Sequence, residues 1–429
     1  MDEVEAFISE TIIKLLVEKA FTIAWDSLSK NVGIGFINLN KSEKFENLKG
    51  ILRKLNDSNA KRERLLNDRN DQLKRYYELY ANESNKLTIG NDIRIAYAHQ
   101  LWLMPKIEGA IDPNKLRTIE GRPYNVDETV KIDGYKNEAF IFRMKNNPKK
   151  EPPYKGSTVR ISDWNTHDEF TLSESNYHDQ YVTNQRDIVD LKIKEIIEGS
   201  SIIISPKLLN KSMRELSMEQ GKLLPFNRSP LANTIGIAST VITCDGYLII
   251  PTRNKRVNFQ SGYEGCSTSG VLEWESGLLE NFIEELKKQI STQEGPEELL
   301  LDYEKIIVEP LAFAREFERA GKPQFFFHIW SFQRLEEFKR LWNKSEFVEE
   351  EFASIQWIEM YEPGMLAQPE KALDQIIERI LALLSSKSLL KFGNNKKIIL
   401  SEEMRANLFY LAIFLESNRV DSFPQEWIN

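Results

Sequence analysis

The sequence predicts a mixed α/β (α+β) protein, and three observations lead to this fold class. Apolar residues recur at helical spacing through most of the first 85 positions. From about residue 90, short runs rich in β-branched and aromatic residues alternate with Gly, Pro and Asn clusters, as strands and turns do. From residue 231, strand-like and helix-like segments alternate, which is typical of a sheet covered by helices.

The length, the net charge and the numbers of cysteines and histidines limit the class of protein. The chain has 429 residues, more than one domain usually contains, so we expect two or three domains. Its net charge of −8 argues against general affinity for nucleic acid or anionic membranes. Two cysteines, Cys244 and Cys266, exclude a disulfide scaffold, and the four histidines are too scattered for a site that needs several imidazoles.

The N-terminus opens with MDEVEAF, which is acidic where a secretory signal is basic. Its most apolar stretch is interrupted by charged residues before it reaches the length that spans a bilayer. We therefore expect a cytoplasmic protein that does not enter a membrane.

Residues 1–85 are predicted to form a helical segment. Residues 4–29 carry two apolar stripes, and a helix that is apolar on two sides is usually enclosed by neighbours. Residues 42–80 predict a second helix or helix pair with a solvated charged face. We expect this segment to join a protein partner or a second copy of the chain.

Residues 86–229 are predicted to form a strand-rich extension. The runs IRIAYAHQLWLM, EAFIFRM and STVRISDW indicate strands, and residues 185–220 return to helical spacing.

A third domain is predicted at 230–390. GIASTVITC and YLIIPTR form a hairpin around the turn CDG, and a glycine-containing loop leads through Gly270 to an acidic helix at 276–290. Two strands joined by ERAGK follow, then a short helix, another strand and a long helix. The sequences of these last five elements are EKIIVEPLAFARE, PQFFFHIWSF, EEFKRLW, FASIQWIEM and PEKALDQIIERILALLSS. A C-terminal helical tail is predicted at 391–429.

Three stretches resemble the Nudix hydrolase superfamily, and most of all its UDP-sugar (UDP-glucose/galactose) hydrolase branch with an N-terminal extension. FTLSESNYHDQYVTNQ is similar to a segment before the Nudix domain of that branch, LANTIGIASTVITCDGYLIIPTRNKRV to its first hairpin, and LAFAREFERAGKPQFFFHIW to its Ala-Arg strand and aromatic return strand. The resemblance covers residues 158–360 and implies a Nudix-like α/β/α sandwich.

The family binds Mg²⁺ or Mn²⁺ through a loop and helix with the pattern G-x5-E-x7-R-E-U-x-E-E-x-G-U. A divalent metal neutralises phosphate charge and activates water, and a metal of this kind prefers oxygen ligands from several converging carboxylates. The resemblance implies that Glu284 and Glu285 are the catalytic Glu-Glu pair and hold the metal. Glu284 follows Gly270 by 14 positions, whereas the family pattern needs 18. The loop is thus four residues shorter than in the family, and the glutamate of G-x5-E falls in the deleted part. Glu273 or Glu275 would have to replace it.

That alignment also places Asn281 at the first helix glutamate, Glu280 at the arginine and Lys287 at the final glycine. The pattern is therefore degenerate. A solvated acidic helix face is the alternative interpretation of Glu284 and Glu285.

Other candidate ligand-binding residues follow from the same resemblance, each with a structural alternative. Arg315 would hold phosphate, or else form an ion pair with Glu316 or Glu318. Arg253, Lys255 and Arg256 would meet an anion, or only water. Tyr177, Tyr181, Thr183 and Asn184 would line a sugar or base pocket, or else belong to the core. His328 lies in an apolar strand and is predicted to be a core residue rather than a catalytic one. Cys266 lacks a matched histidine partner, so it is not expected to be a nucleophile.

Three functions remain open. The first is a nucleotide-binding or nucleotide-sugar-binding regulatory module in which hydrolysis is weak or lost. The second is an active metal-dependent nucleoside-diphosphate-sugar diphosphatase, and the third is a purely architectural interaction protein. Nucleic acid is not an expected partner.

Overall fold

The computed structural model describes residues 93–97, 100–104, 116–146, 156–165, 169–253, 264–295, 299–342, 352–362, 364–384 and 400–418, with 423, 424 and 427. The predicted N-terminal helical segment, 1–85, lies outside these residues. The described part mixes strands and helices, as the sequence predicts.

An eight-stranded mixed sheet forms the centre of the fold, in the order β1-β2-β11-β12-β8-β9-β13, with β10 paired to β8. The pairing of β12 with β8 is parallel, and the other strand pairs of the sheet are antiparallel. The strands are β1 (Ile93–Tyr97), β2 (Gln100–Met104), β8 (Gly236–Thr243), β9 (Tyr247–Arg253), β10 (Thr268–Val271), β11 (Ile306–Glu316), β12 (Lys322–Ser331) and β13 (Phe352–Glu359).

Helices pack on both faces of this sheet. Side chains alternate along β12, so Phe325 and Phe327 contact one layer while Phe326 and Trp330 contact the other. The first layer contains α8 (Phe282–Gln289) and α9 (Leu335–Trp342), and the second contains α10 (Pro369–Leu384) and α11 (Glu402–Asn418). The described part therefore has three layers, with the sheet in the middle.

The extension contributes small sheets and short helices. Strands β3 (Arg117–Glu120), β4 (Ser157–Asn165) and β5 (Glu169–Asn176) form a three-stranded sheet in the order β3-β5-β4, and β6 (Met218–Glu219) pairs with β7 (Lys222–Leu223). Its helices are α1 (Val126–Val130), α2 (Tyr135–Asn146), α3 (Tyr177–Thr183), α4 (Arg186–Val189), α5 (Ile193–Ile196), α6 (Pro206–Leu209) and α7 (Met213–Leu216).

The expectation that EAFIFRM forms a strand is wrong, because these residues lie within α2. Tyr135, Ala139 and Arg143 are its buried positions, four residues apart, which is the spacing of one helix face. The aromatic residues of the run favoured a strand, but burial on one side of a helix decides its structure.

The extension and the predicted domain at 230–390 share a core. Val159 on β4 accepts a hydrogen bond from the backbone of Ile235 and donates one to Leu272, at 2.8 and 2.9 Å. Val159 and Phe170 also pack in the same apolar cluster as Phe325 and Leu286. The sheet edge of the extension is thus joined to the loop that precedes α8.

The described C-terminal helix, α11, is part of the central fold. Leu408 and Leu411 are fully buried, and α11 contacts β8, β11, β12 and α10. Apolar residues surround its axis, as is typical of an enclosed helix. Among the described residues, no helix is both long enough and apolar enough to cross a membrane.

Candidate functional site on the acidic helix

The acidic helix α8 begins at Phe282, six residues later than the sequence predicts. Residues 276–281 form turns instead, and Gly277 adopts the left-handed φ of 95° that a glycine tolerates best. Helix α8 buries Phe282, Leu286 and Gln289 against the sheet. The opposite face presents Glu284, whose side chain is 67% exposed.

Lysines of the same helix neutralise these carboxylates. Lys287 Nζ lies 3.0 Å from Glu284 Oε1. Lys288 Nζ lies 2.8 Å from Glu285 Oε2 and 3.3 Å from Glu275 Oε2, so one ammonium group joins the helix to the preceding loop. Hydrogen bonds to Glu285 and then to Glu275 raise the pKa of Lys288, because both favour its charged form. The ammonium group is therefore a resident cation between two of the predicted metal ligands.

The remaining predicted metal ligand, Glu273, lies in the loop beside α8. Its backbone N–H donates to Gln289 Oε1 at 2.9 Å, and Gln289 Nε2 donates to the carbonyl of Val271 at 3.0 Å. Gln289 thus fastens the loop to the helix. This role of Gln289 was not predicted, although a polar residue on the apolar stripe of α8 is a signal for it.

Gly270 allows the side chain of Glu294, which follows α8 in the chain, to approach the backbone of β10 closely. A Cβ atom at this position would lie 1.8 Å from Glu294 Oε1, so any other residue would displace that carboxylate. Glu294 also accepts a hydrogen bond from Gln289 Nε2 at 3.2 Å. The glycine that carries the sequence resemblance therefore has a local packing role, and Glu294 is a further carboxylate near the loop.

Within the described residues, no three or more His, Cys, Asp or Glu side chains come together as metal ligands. The carboxylates that do approach each other, Glu275 and Glu285, are separated by the ammonium group of Lys288. These carboxylates provide oxygen ligands for a cation, and in this structure the ammonium group of Lys288 binds them.

Arg315 is buried in the framework. Its Nε donates to the carbonyl of Gly321 at 3.2 Å, and one terminal nitrogen donates to the carbonyl of Leu224 at 3.1 Å. The guanidinium carbon also lies 4.3 Å from the centre of the Phe226 ring. These contacts connect β11 to the extension, and they engage two nitrogens of the guanidinium that was predicted to hold phosphate.

The other arginine candidates lie at the end of β9. Arg253 donates to Ser269 Oγ at 3.1 Å and is partly exposed, while Arg256 and Lys255 lie outside the described residues.

Asn184 and Tyr181 are also framework residues. Asn184 donates to the carbonyl of Arg319 at 3.0 Å and accepts from the backbone N–H of Asn233 at 3.0 Å, which joins α3 to the central fold. Tyr181 is fully buried beneath the guanidinium of Arg143. Thr183 is buried as well, and its hydroxyl donates to the carbonyl of Asp179. Tyr177 is only partly buried.

His328 is a core residue, as predicted, and Cys266 is buried as well. His328 Nδ1 lies 2.9 Å from Thr240 Oγ1, and burial lowers the pKa of the imidazole to about 3. The ring is therefore neutral at physiological pH. Cys266 is buried in the layer beneath α10 and α11.

Comparisons with known proteins add little to this geometry. No family model matches the sequence, and no curated protein matches it. Among solved structures, the chain is similar to the crystal structure of DR0079 from Deinococcus radiodurans, at 14% sequence identity and a TM-score of 0.24. The similarity covers 41% of this chain and 80% of that chain, and a TM-score of this size carries no inference about fold or function.

Proposed function

We propose that this chain is a Nudix-like binding or regulatory module in which hydrolysis is lost. One observation carries the proposal: Lys288 bonds to both Glu275 and Glu285, the carboxylates that a catalytic metal would need. Lys287 bonds to Glu284 in the same way. The three-layer arrangement around α8 is consistent with a retained framework.

The physical argument rests on competition for the same oxygen atoms. Mg²⁺ requires oxygen ligands in near-octahedral geometry and gives up its waters reluctantly. An ammonium group attached to the same helix is always close to those oxygens, so its effective concentration is high. A divalent ion must displace Lys288 before it can bind Glu275 and Glu285 together.

The first test is an activity assay on the full chain. Purified protein is incubated with Mg²⁺ or Mn²⁺ and a panel of nucleoside diphosphate conjugates, and released monophosphate is measured. We expect release no faster than in the Glu285→Gln variant. Metal-dependent release that disappears in Glu285→Gln would instead establish the rival function, a working diphosphatase.

The ligand of such a module is proposed to be a nucleotide or a nucleotide sugar, as the sequence resemblance implies. Among the predicted contacts, Arg253 and Tyr177 are partly exposed, and Arg256 lies outside the described residues. A ligand that binds only the native state raises the melting temperature by mass action. We expect such a rise with at least one nucleotide, and a smaller rise in an Arg253→Gln variant.

A purely architectural role is the second candidate, and the positions of Arg315, Tyr181 and Asn184 favour it. All three side chains are buried and bonded or packed within the framework. Unchanged melting temperatures across all nucleotides, with and without metal, would support this role over nucleotide binding.

Residues 1–85 are proposed to mediate assembly. Removing them is expected to lower the number of chains per particle, because the two apolar stripes of residues 4–29 need neighbours. Light scattering measures the molar mass directly. An unchanged number of chains per particle would exclude a role in self-assembly.

A further inference from the structure

Two pockets lie in the extension beside α3, and none of the predicted ligand-binding residues Tyr177, Tyr181, Thr183 and Asn184 lines either of them. Their volumes are about 330 and 400 Å³, and each lies within the size range of small-ligand sites. Lys136 and His178 line both pockets, so the two are neighbours and are described together as the groove. Helix α2, helix α3 and the ends of β4 and β5 surround it.

The polar groups of this groove are held in place by the fold. Asp127 accepts hydrogen bonds from the backbone of Gly134 and Lys136, at 3.0 and 2.8 Å. Glu174 accepts one from Ser157 Oγ at 2.6 Å. Because these groups are already ordered, a ligand would lose little free energy in arranging them.

The charges of the groove disfavour an anionic ligand. The ammonium group of Lys136 lies 2.6 Å from the buried carboxylate of Asp179, and this ion pair compensates the positive charge of Lys136. Asp127 and Glu174 add two more carboxylates to the lining. A phosphate would therefore meet more negative than positive charge.

The groove also offers an apolar wall and further polar groups. The rings of Phe140 and His178 pack with their centres 5.0 Å apart, and Val182 lies beside them. Asn137 is exposed and presents both a donor and an acceptor, whereas the amide oxygen of Asn176 already accepts from the backbone N–H of Asp179 and from Lys136 Nζ. Alternating donors and acceptors next to a ring surface match the hydroxyl groups and C–H faces of a sugar.

We propose that this groove binds a neutral, polyhydroxylated ligand the size of a mono- or disaccharide. The carboxylates of Asp127 and Glu174 accept hydrogen bonds from hydroxyl groups, and Asn137 donates and accepts. The Phe140–His178 pair packs against a face of the sugar ring. This site is independent of α8, so it stands whether or not hydrolysis is lost there.

The experiment is a titration of the full chain with neutral mono- and disaccharides, followed by ligand-observed NMR and calorimetry. Hexose phosphates are titrated in parallel. We expect saturable binding of at least one neutral sugar and weaker binding of its phosphorylated form. Asn137→Ala should weaken binding by about fivefold, the effect of one lost hydrogen bond. His178→Ala removes part of the ring surface and should also weaken binding.

Tyr303→Ala is the matched control, since this exposed aromatic side chain lines neither pocket. Its sugar affinity should equal that of the unaltered chain. Asn137 is exposed, so its substitution leaves the fold intact, and melting temperatures verify this for each variant. The proposal is overturned if no neutral sugar binds, if the variants bind equally well, or if phosphorylated sugars bind more tightly.

Discussion

Two clusters of charged side chains among the described residues have opposite surroundings. On α8, Glu284 and Lys287 pair at the surface. At the turn between β11 and β12, Glu316 and Lys322 are buried, and Lys322 is only 1% exposed. The first cluster is screened by water, while the second interacts through the protein interior, where charge costs far more.

The buried cluster is held by a dense set of hydrogen bonds. Arg214, from the extension, donates to the carbonyls of Phe317 and Glu318 at 2.5 and 2.7 Å, and its Nε lies 2.6 Å from Asp190 Oδ1. Gln324 links Lys322 to Glu403 on α11, with distances of 3.1 and 2.8 Å. Charges in this region therefore connect the extension, the sheet and α11, whereas those on α8 connect only a helix and its loop.

The largest effect is expected from Arg214→Ala. The substitution removes the buried guanidinium that binds partly buried Asp190 and two backbone carbonyls, so we expect a loss of about 3–5 kcal/mol in the free energy of unfolding. Chemical denaturation measures it. The control is Arg228→Ala, which removes a pair to Glu219 in which both side chains are more than half exposed, and its loss should stay below about 1 kcal/mol. Equal losses in the two variants would contradict the comparison.

A somewhat smaller effect is expected from Leu286→Ala on α8. Leu286 is fully buried, so its truncation leaves a cavity and should cost about 2–5 kcal/mol. Glu284→Ala on the exposed face of the same helix is the control. If Glu284→Ala destabilises the protein as much as Leu286→Ala, the ion pairs rather than the apolar face hold α8 in place.

The pH dependence of stability separates the two clusters further. Burial raises the pKa of Glu316 to about 7, despite the opposing effects of Arg319 and Lys322, and burial lowers the pKa of Lys322 to about 7. Between pH 7 and about 10.5, the unfolded chain binds more protons at Lys322 than the folded chain does, so stability rises with pH. Below pH 7 the effect of Glu316 is opposite. The folded chain binds more protons at Glu316 than the unfolded chain does, so stability falls as pH rises towards 7.

Lys322→Met should remove the rise between pH 7 and 10, which we expect to be on the order of 2 kcal/mol. Denaturation midpoints at several pH values measure it. Lys339→Met is the control, because Lys339 pairs with Glu336 at the surface of α9. A rise that persists unchanged in Lys322→Met would show that another group titrates in this range.

The smallest effect on stability is expected from Lys288→Gln, which should change the free energy of unfolding by less than about 1 kcal/mol because its ion pairs are exposed. The same substitution should strengthen Mn²⁺ binding, since Glu275 and Glu285 lose their resident cation. Electron paramagnetic resonance of free Mn²⁺ measures this. Lys287→Gln, which frees Glu284 alone, should strengthen it less. Equal Mn²⁺ affinities in Lys288→Gln and the unaltered chain would contradict the role given to Lys288.

Strand positions in the central sheet could be predicted well from the sequence, because apolar and β-branched runs there end at clear turns. YLIIPTR coincides with β9, and the predicted runs around residues 306–316 and 322–331 correspond to β11 and β12. The short run EAFIFRM could not be assigned correctly, since its apolar residues satisfy a strand and a helix equally well until one face is buried.

The candidate site was harder to predict. The sequence shows that Glu284 and Lys287, or Glu285 and Lys288, are three residues apart, which permits an ion pair on a helix. It does not show that the turn at Gly277 lets Glu275 reach the same ammonium group. Contacts between residues 13 positions apart depend on the path of the loop, and local spacing does not specify that path.

The sequence alone determined the mixed α/β class, most strands of the sheet and the acidic, lysine-containing character of α8, because these follow from the order of neighbouring residues. Only the tertiary structure decided which charges are buried. Arg315, Asn184 and Lys322 have side chains typical of ligand sites, yet packing of the extension and α11 against the sheet encloses them. Burial depends on distant parts of the chain that meet only in the folded protein.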